Sequence, residues 1–303
     1  MDRPSVRMKA LTMNETEIQL RAGALVVDLA AASSRLEPQY GPRFDRSAHI
    51  TQVTWEDRPW LATGGMPDEF GLWGHGVLGF ADEAPRDVAD QFVKVGVGRL
   101  QKSQPGPFKP FVHWPIAELA QVALIEQATD RVTVEQVQPG DVWSYRQRKT
   151  YRLSENGELV IQYALANLGS QPIPVEHYSH NFFVITPTQG VRISAAFPMP
   201  LPPHDRPWRA SEAGVELDQS RLVGPQAAWS WEPKAPAELN RVDLHWSDGA
   251  SVRVAGDFPV YQMALWAKDD MVCPEVFFRT EIAPGQSATW QRSYHFGPIA
   301  LSG

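Results

Sequence analysis

Glycine and proline interrupt this chain at short, nearly even intervals: 22 glycines and 26 prolines are spread through 303 residues. Proline inside a helix removes a backbone donor and clashes with the preceding turn, so long helices have little room here. Between the interruptions lie short alternating or apolar runs, among them "ALVVDLA", "HITQVTW", "RVTVEQV", "ELVIQYALANL", "RVDLHW", "SVRVAG" and "TWQRSYHF". A period of two between turn signals predicts an all-β protein of many short antiparallel strands. The stretch 117–127, "AELAQVALIEQ", reads equally well as helix or strand, and 198–209, "PMPLPPHDRPWR", reads as a Pro-rich loop. With neither a composition break nor an internal repeat, residues 1–303 read as one domain, a length that large β-sandwiches reach as a single unit.

Composition narrows the partners. The net charge of −7 and the absence of a Lys/Arg cluster of five or more argue against nucleic acid or an anionic membrane. A single cysteine, Cys273, excludes a disulfide scaffold and any zinc site built from several thiolates. The first twenty residues hold no continuous apolar segment of the signal-peptide kind, which predicts a cytoplasmic chain. Eleven tryptophans have two readings: core filling, or platforms in a groove that stack on the C–H faces of sugar rings.

The densest chemistry is "EHYSHNFF", residues 176–183. In an extended strand Glu176, Tyr178 and His180 share one face, and His177, Ser179 and Asn181 share the other. The two histidines then cannot ligate one metal without a bulge, and no metal is expected. In "DQFVKVGVGRL" (90–100), Val93, Val95 and Val97 point to a core. Phe92, Lys94, Gly96 and Gly98 face the other way and form either open floor for a ligand or a solvated face. "YGPRFDRSAHI" (40–50) places Arg43 beside Asp45 and Arg46, either as a fork for hydroxyls and carboxylates or as a surface ion pair. Glu275 begins the apolar run of "CPEVFF", so burial should raise its pKa toward neutrality, whereas Glu281, next to the Pro284-Gly285 turn, should be solvated.

Several of these stretches, in order, resemble the aldose 1-epimerases (galactose mutarotases). "ALANLGSQPIPVEHYSHNFF" is similar to the family's strand, Pro-containing turn and catalytic histidine, which puts His180 at the general-acid position. Glu275, Pro284-Gly285 and Tyr294-His295-Phe296 resemble its C-terminal glutamate, turn and closing strand. Arg43 resembles the arginine after an early Gly-containing turn, and "GLWGHGVLGF" resembles the first histidine motif through His75. "EFG" and "FVKVGVG" are similar to segments of a bacterial mutarotase-like subgroup. The resemblance implies a large antiparallel β-supersandwich of the galactose mutarotase type and interconversion of sugar anomers. Glu275 would take the proton from the C1 hydroxyl and His180 would protonate the ring oxygen, with no cofactor. The expected partner is a small-molecule sugar or sugar acid, bound by a monomer or homodimer, and Arg43, His75, Lys94, His177 and Tyr178 are the candidate substrate contacts. Two alternatives stay open. One is a catalytically silent carbohydrate-binding protein; the other is a lyase or other sugar-acid enzyme using Lys94 or Tyr178.

Overall fold

The computed structural model describes residues 16–31, 41–80, 90–186, 190–222 and 227–299. The reading of the N-terminal segment falls largely on residues 1–15, outside them, as does Tyr40 of the 40–50 stretch. Among the described residues there is no α-helix, and every strand pairing is antiparallel. No helix among them is long and apolar enough to cross a membrane.

A ten-stranded sheet forms one layer, with Tyr145–Ser154, Glu158–Asn167, Ser287–Phe296 and Ser251–Gly256 adjacent in its middle. The smaller layer orders Ala227–Trp231, Gln262–Lys268, Met271–Ile282, Ile173–Ser179 and Asp68–Phe70, with Phe183–Val184 pairing off the path. In the strand Glu158–Asn167 every second residue is buried: Leu159, Ile161, Tyr163 and Leu165 point inward with Trp290 and Tyr294 of the neighbouring strand. They meet Ile173, Val175, Val276 and Phe278 of the smaller sheet in one apolar core. The turn holding Pro284 and Gly285 carries the chain from the small sheet to the large one, and Gly285 takes the left-handed φ of 73° that glycine adopts without strain.

The central strand of the small sheet is buried on both faces from Val272 to Phe278. One face supplies the core; the other, through Cys273, Glu275 and Phe277, looks away from the large sheet. Cross-strand pairing continues this outer face, because Ala264 lies opposite Glu275, Gln262 opposite Phe277 and Trp266 opposite Cys273. Ser230 and Ala228 extend it one strand further.

One open reading is settled here and one is corrected. Residues 116–127 are two strands, Ile116–Leu119 and Gln121–Gln127, and not a helix. "FVKVGVG" is not one strand but a hairpin, Gln91–Lys94 turning into Gly98–Gln101 through Gly96 at φ 86° and Gly98 at φ 136°. The turn breaks the alternation: Val93 and Val95 join the main core, whereas Val97 packs with Phe92 and Trp114 in a second cluster. Gly96 is no ligand floor, since a Cβ there would sit 3.0 Å from the Cβ of Asp45.

Candidate functional site

On the outer face of the small sheet a cavity of about 740 Å³ opens, with His180, Glu275, Phe277 and Leu72 among its deepest walls. His180 arrives there because the 173–179 strand runs on past its last paired residue. The His180 N–H donates to the Pro67 carbonyl at 2.8 Å. The next residue, Asn181, donates to the Pro274 carbonyl at 2.9 Å and accepts from Tyr294 at 3.0 Å. These bonds fix the backbone on both sides of the imidazole. The ring itself is stacked on Phe182 at 4.1 Å between centroids and meets the edge of Trp266 at 5.3 Å.

His180 Nε2 lies 3.1 Å from Glu275 Oε1, bringing together residues almost a hundred positions apart. Burial drives both toward their neutral forms. The Glu275 carboxyl is pushed up to about 8 by loss of solvent, against the pull of Arg43 and with the repulsion of Glu69. The imidazole is held well below its ordinary value of 6.5 by burial and by the Arg43 charge. Near pH 7 this leaves the carboxyl protonated beside a neutral imidazole. A carboxyl and an imidazole sharing one proton can give it at one point and take it at another nearby.

Arg43 borders the same cavity with its side chain about a quarter exposed. Its Nε donates to Glu69 at 2.7 Å and its Nη2 to the Tyr178 hydroxyl at 2.8 Å. Burial opposes its charge, but Glu69 and Tyr178 outweigh that and raise its pKa. The surface-pair reading for the 40–50 stretch is therefore wrong: Arg43 pairs with Glu69, while Asp45 is buried 3.2 Å from Lys149.

Four sequence candidates stand outside the cavity wall. Lys94, 1% exposed, donates to the Arg43 carbonyl at 2.5 Å and to Glu69 at 3.2 Å. Tyr178 is wholly buried, stacked on Phe277 and hydrogen-bonded to Glu69 at 2.5 Å. Both support Arg43 from behind. His177, on the opposite strand face, is buried between the sheets, where its Nδ1 accepts from Trp290 at 3.1 Å and its Nε2 lies 3.4 Å from Asp68. It is held neutral at about 4, chiefly by burial. The His75 side chain is exposed and does not line the cavity; its carbonyl accepts from the Glu176 N–H. As substrate contacts, Lys94, Tyr178, His177 and His75 are corrected: the first three are sealed from the cavity and the last turns away from it.

Strand parity does separate the stretch as alternation requires. Glu176 bonds Arg279, Tyr178 and His180 lie toward the cavity side, and His177, Ser179 and Asn181 bond groups of the interior. Sequence reading missed the acidic pair Asp68-Glu69. Its signal was two consecutive acids in a strand flanked by apolar residues, which alternation sends to opposite faces. Asp68 meets Lys149, Tyr163 and Ser179 inside, and Glu69 meets Arg43, Lys94 and Tyr178 beneath the cavity. The tryptophans divide between the two readings: Trp60, Trp114 and Trp290 are core, whereas Trp73, Trp229 and Trp266 line the cavity. Among the described residues no group of three or more His, Cys, Asp or Glu is arranged to hold a metal ion.

No protein-family model matches this sequence, and no curated protein does. Solved structures do match over nearly the whole chain. The Slr1438 protein from Synechocystis sp. PCC 6803 has a TM-score of 0.59 and 14% identity, covering 99% of this chain and 100% of its own. A galactose mutarotase-like protein from Lactobacillus casei ATCC 334 has a TM-score of 0.59 and 14% identity, covering 93% and 100%. A galactose 1-epimerase from Lactobacillus acidophilus NCFM has a TM-score of 0.52 and 12% identity, covering 97% and 100%. Together with the two-layer antiparallel architecture, these likenesses show that the chain carries the galactose mutarotase-like fold.

Proposed function

We propose that this protein interconverts the anomers of a reducing sugar by acid–base catalysis between Glu275 and His180. The observation that carries the reading is the 3.1 Å contact of these two side chains on the cavity floor. Anomer exchange needs a base at the C1 hydroxyl and an acid at the ring oxygen. Both oxygens are bonded to C1, so the two catalytic groups must lie close together. With the shared proton on His180, the Glu275 carboxylate takes the proton of the C1 hydroxyl as the C1–ring oxygen bond breaks. His180 delivers its proton to that ring oxygen. The open-chain aldehyde turns about its C1–C2 bond, and the reverse transfers close the ring on the other face. Arg43 offers its guanidinium to a sugar hydroxyl or carboxylate. A solved structure of this fold named galactose 1-epimerase supports the reading.

The lyase alternative needs Lys94 or Tyr178 at the substrate, and both side chains are buried and stand outside the cavity lining. The silent binding-protein alternative keeps one observation in its favour: His180 and Glu275 satisfy each other in a cavity walled largely by aromatic rings. Polarimetry on freshly dissolved neutral and acidic monosaccharides separates the two. Wild-type protein should accelerate mutarotation, and Glu275→Gln and His180→Asn should each lose on the order of 10²–10⁴ in rate. His177→Asn, behind the sheet, should lose far less. Wild-type protein that accelerates none of these sugars would leave the binding reading, and full activity in Glu275→Gln would show that the base lies elsewhere.

A further inference from the structure

We propose that Arg292, reaching through the core from the large sheet, is a positioning residue for Glu275 and His180, and that with Tyr294 and Asn181 it holds open a gap in the small sheet. This role presupposes the acid–base reading of that pair. Strand register reveals the gap. Ile173–Ser179 and Met271–Ile282 pair from Ile173 opposite Ile282 as far as His177 opposite Phe278. Pairing resumes at Phe183 opposite Val272. In between, 178–182 and 273–277 have no backbone pairing with each other. His180 is the middle residue of the first stretch and Glu275 of the second. Their 3.1 Å contact therefore spans an opening in the sheet.

Such an opening leaves buried carbonyls without a ladder partner, and each needs another donor or costs stability. Arg292 is one source. It is 1% exposed, and its Nη2 donates to the Val276 carbonyl at 2.8 Å on one side of the gap and to the His177 carbonyl at 3.3 Å on the other. Asn181 is the second source: it crosses the gap to the Pro274 carbonyl and is itself held by the Tyr294 hydroxyl. Proline at 274 brings no N–H for the gap to orphan. Pro274 and Val276 flank Glu275, so the two donors fix the backbone immediately before and after it. Arg292 and Tyr294 point inward together because they stand two apart on Ser287–Phe296. Arg292 forms no ion pair among the described residues. A buried cation without a carboxylate costs stability, which an apolar side chain filling the same space would avoid. The charges felt by Glu275 are those of Arg43 and Glu69, and His180 feels that of Arg43, so Arg292 acts on the pair through the backbone.

The test pairs Arg292→Met, which keeps the length and removes the donors, with Tyr294→Phe, which deletes one hydroxyl and keeps the ring. Leu20→Ala, buried in the separate sheet that begins with Thr16–Ala22, controls for lost stability alone. Polarimetric kinetics should show kcat lowered by about ten- to a hundredfold in Arg292→Met and by less in Tyr294→Phe. KM should stay nearly unchanged, because the sugar contacts remain while the two groups lose their spacing. Arg292→Lys, which returns one donor, should recover part of the loss. Wild-type kcat in both variants, or a loss no greater than that of Leu20→Ala, overturns the positioning role while the proposed reaction stands. If the wild type accelerates no sugar, the reaction has failed, and infrared titration of the Glu275 carboxyl, assigned by its absence in Glu275→Gln, decides the positioning role. In both variants the carboxyl should then titrate nearer its ordinary 4.5 as the loosened gap admits water, with Leu20→Ala behaving as wild type. A titration unmoved in both overturns the role. Should Arg292→Met fail to fold, the same two readings on Tyr294→Phe decide.

Discussion

Replacing Glu275 with glutamine should remove activity and, at the same time, make the folded protein more resistant to alkaline conditions. The carboxyl titrates at about 8 in the folded chain against an ordinary value of 4.5, chiefly because burial penalises its charge. Between these two values the folded state holds a proton that the unfolded state has released. Stability must then fall as pH rises across that window, being fully present below the lower value and lost through the upper one. The slope is about 1.4 kcal/mol per pH unit, so the whole window amounts to roughly 5 kcal/mol. That figure is an upper one, since relaxation of the site and entry of water lower the penalty on the buried charge. Glutamine keeps the size and the carbonyl but does not titrate. The variant should therefore gain on wild type steadily between roughly pH 5 and pH 8. Urea unfolding of both proteins at several pH values across this interval measures the difference directly. Parallel pH dependences would refute the reasoning, because they would mean that Glu275 carries no folding-linked proton. Such a gain would show that the site is held at the expense of stability.

Two further outcomes follow from the same electrostatics. The pH profile of kcat/KM, which reports the free protein, should fall on the alkaline side near 8 and stay high well below 6.5 on the acid side, since loss of the shared proton or gain of a second one disables the pair. A profile with no alkaline limb near 8 would reject the pair. Glu69→Gln should destabilise the fold by roughly 3–5 kcal/mol, because Arg43 and Lys94 lose their buried counter-charge. In the same variant the alkaline limb should move down, since the Glu69 charge contributes to raising Glu275; thermal unfolding and the pH profile read the two effects separately.

Much of the fold could be read from residues near one another in the chain. Evenly placed prolines and glycines shortened every element, and alternation within them sorted core from surface, as in Glu158–Asn167. Alternation also divided Tyr178 and His180 from His177 and Asn181, and the apolar run after Glu275 predicted its burial. These are local properties: side-chain direction in an extended chain has a period of two whatever the strand pairs with. Which face another layer covers is set elsewhere. Lys94 sits one step behind the cavity because the chain turns at Gly96, where an unbroken strand was the simpler reading. His177 and His180 are three residues apart, yet one packs on Trp290 of the facing sheet and the other looks out over Glu275. Glu69 gained its role only when Arg43, Lys94 and Tyr178 were gathered around it from three separate segments. Trp266 and Glu275 share a wall because the register of two neighbouring strands places them on one face. Sheet order and register join residues by hydrogen bonds between distant segments, and that pairing is decided by burying the whole core at once, so only the tertiary structure shows which of the chain's polar residues meet.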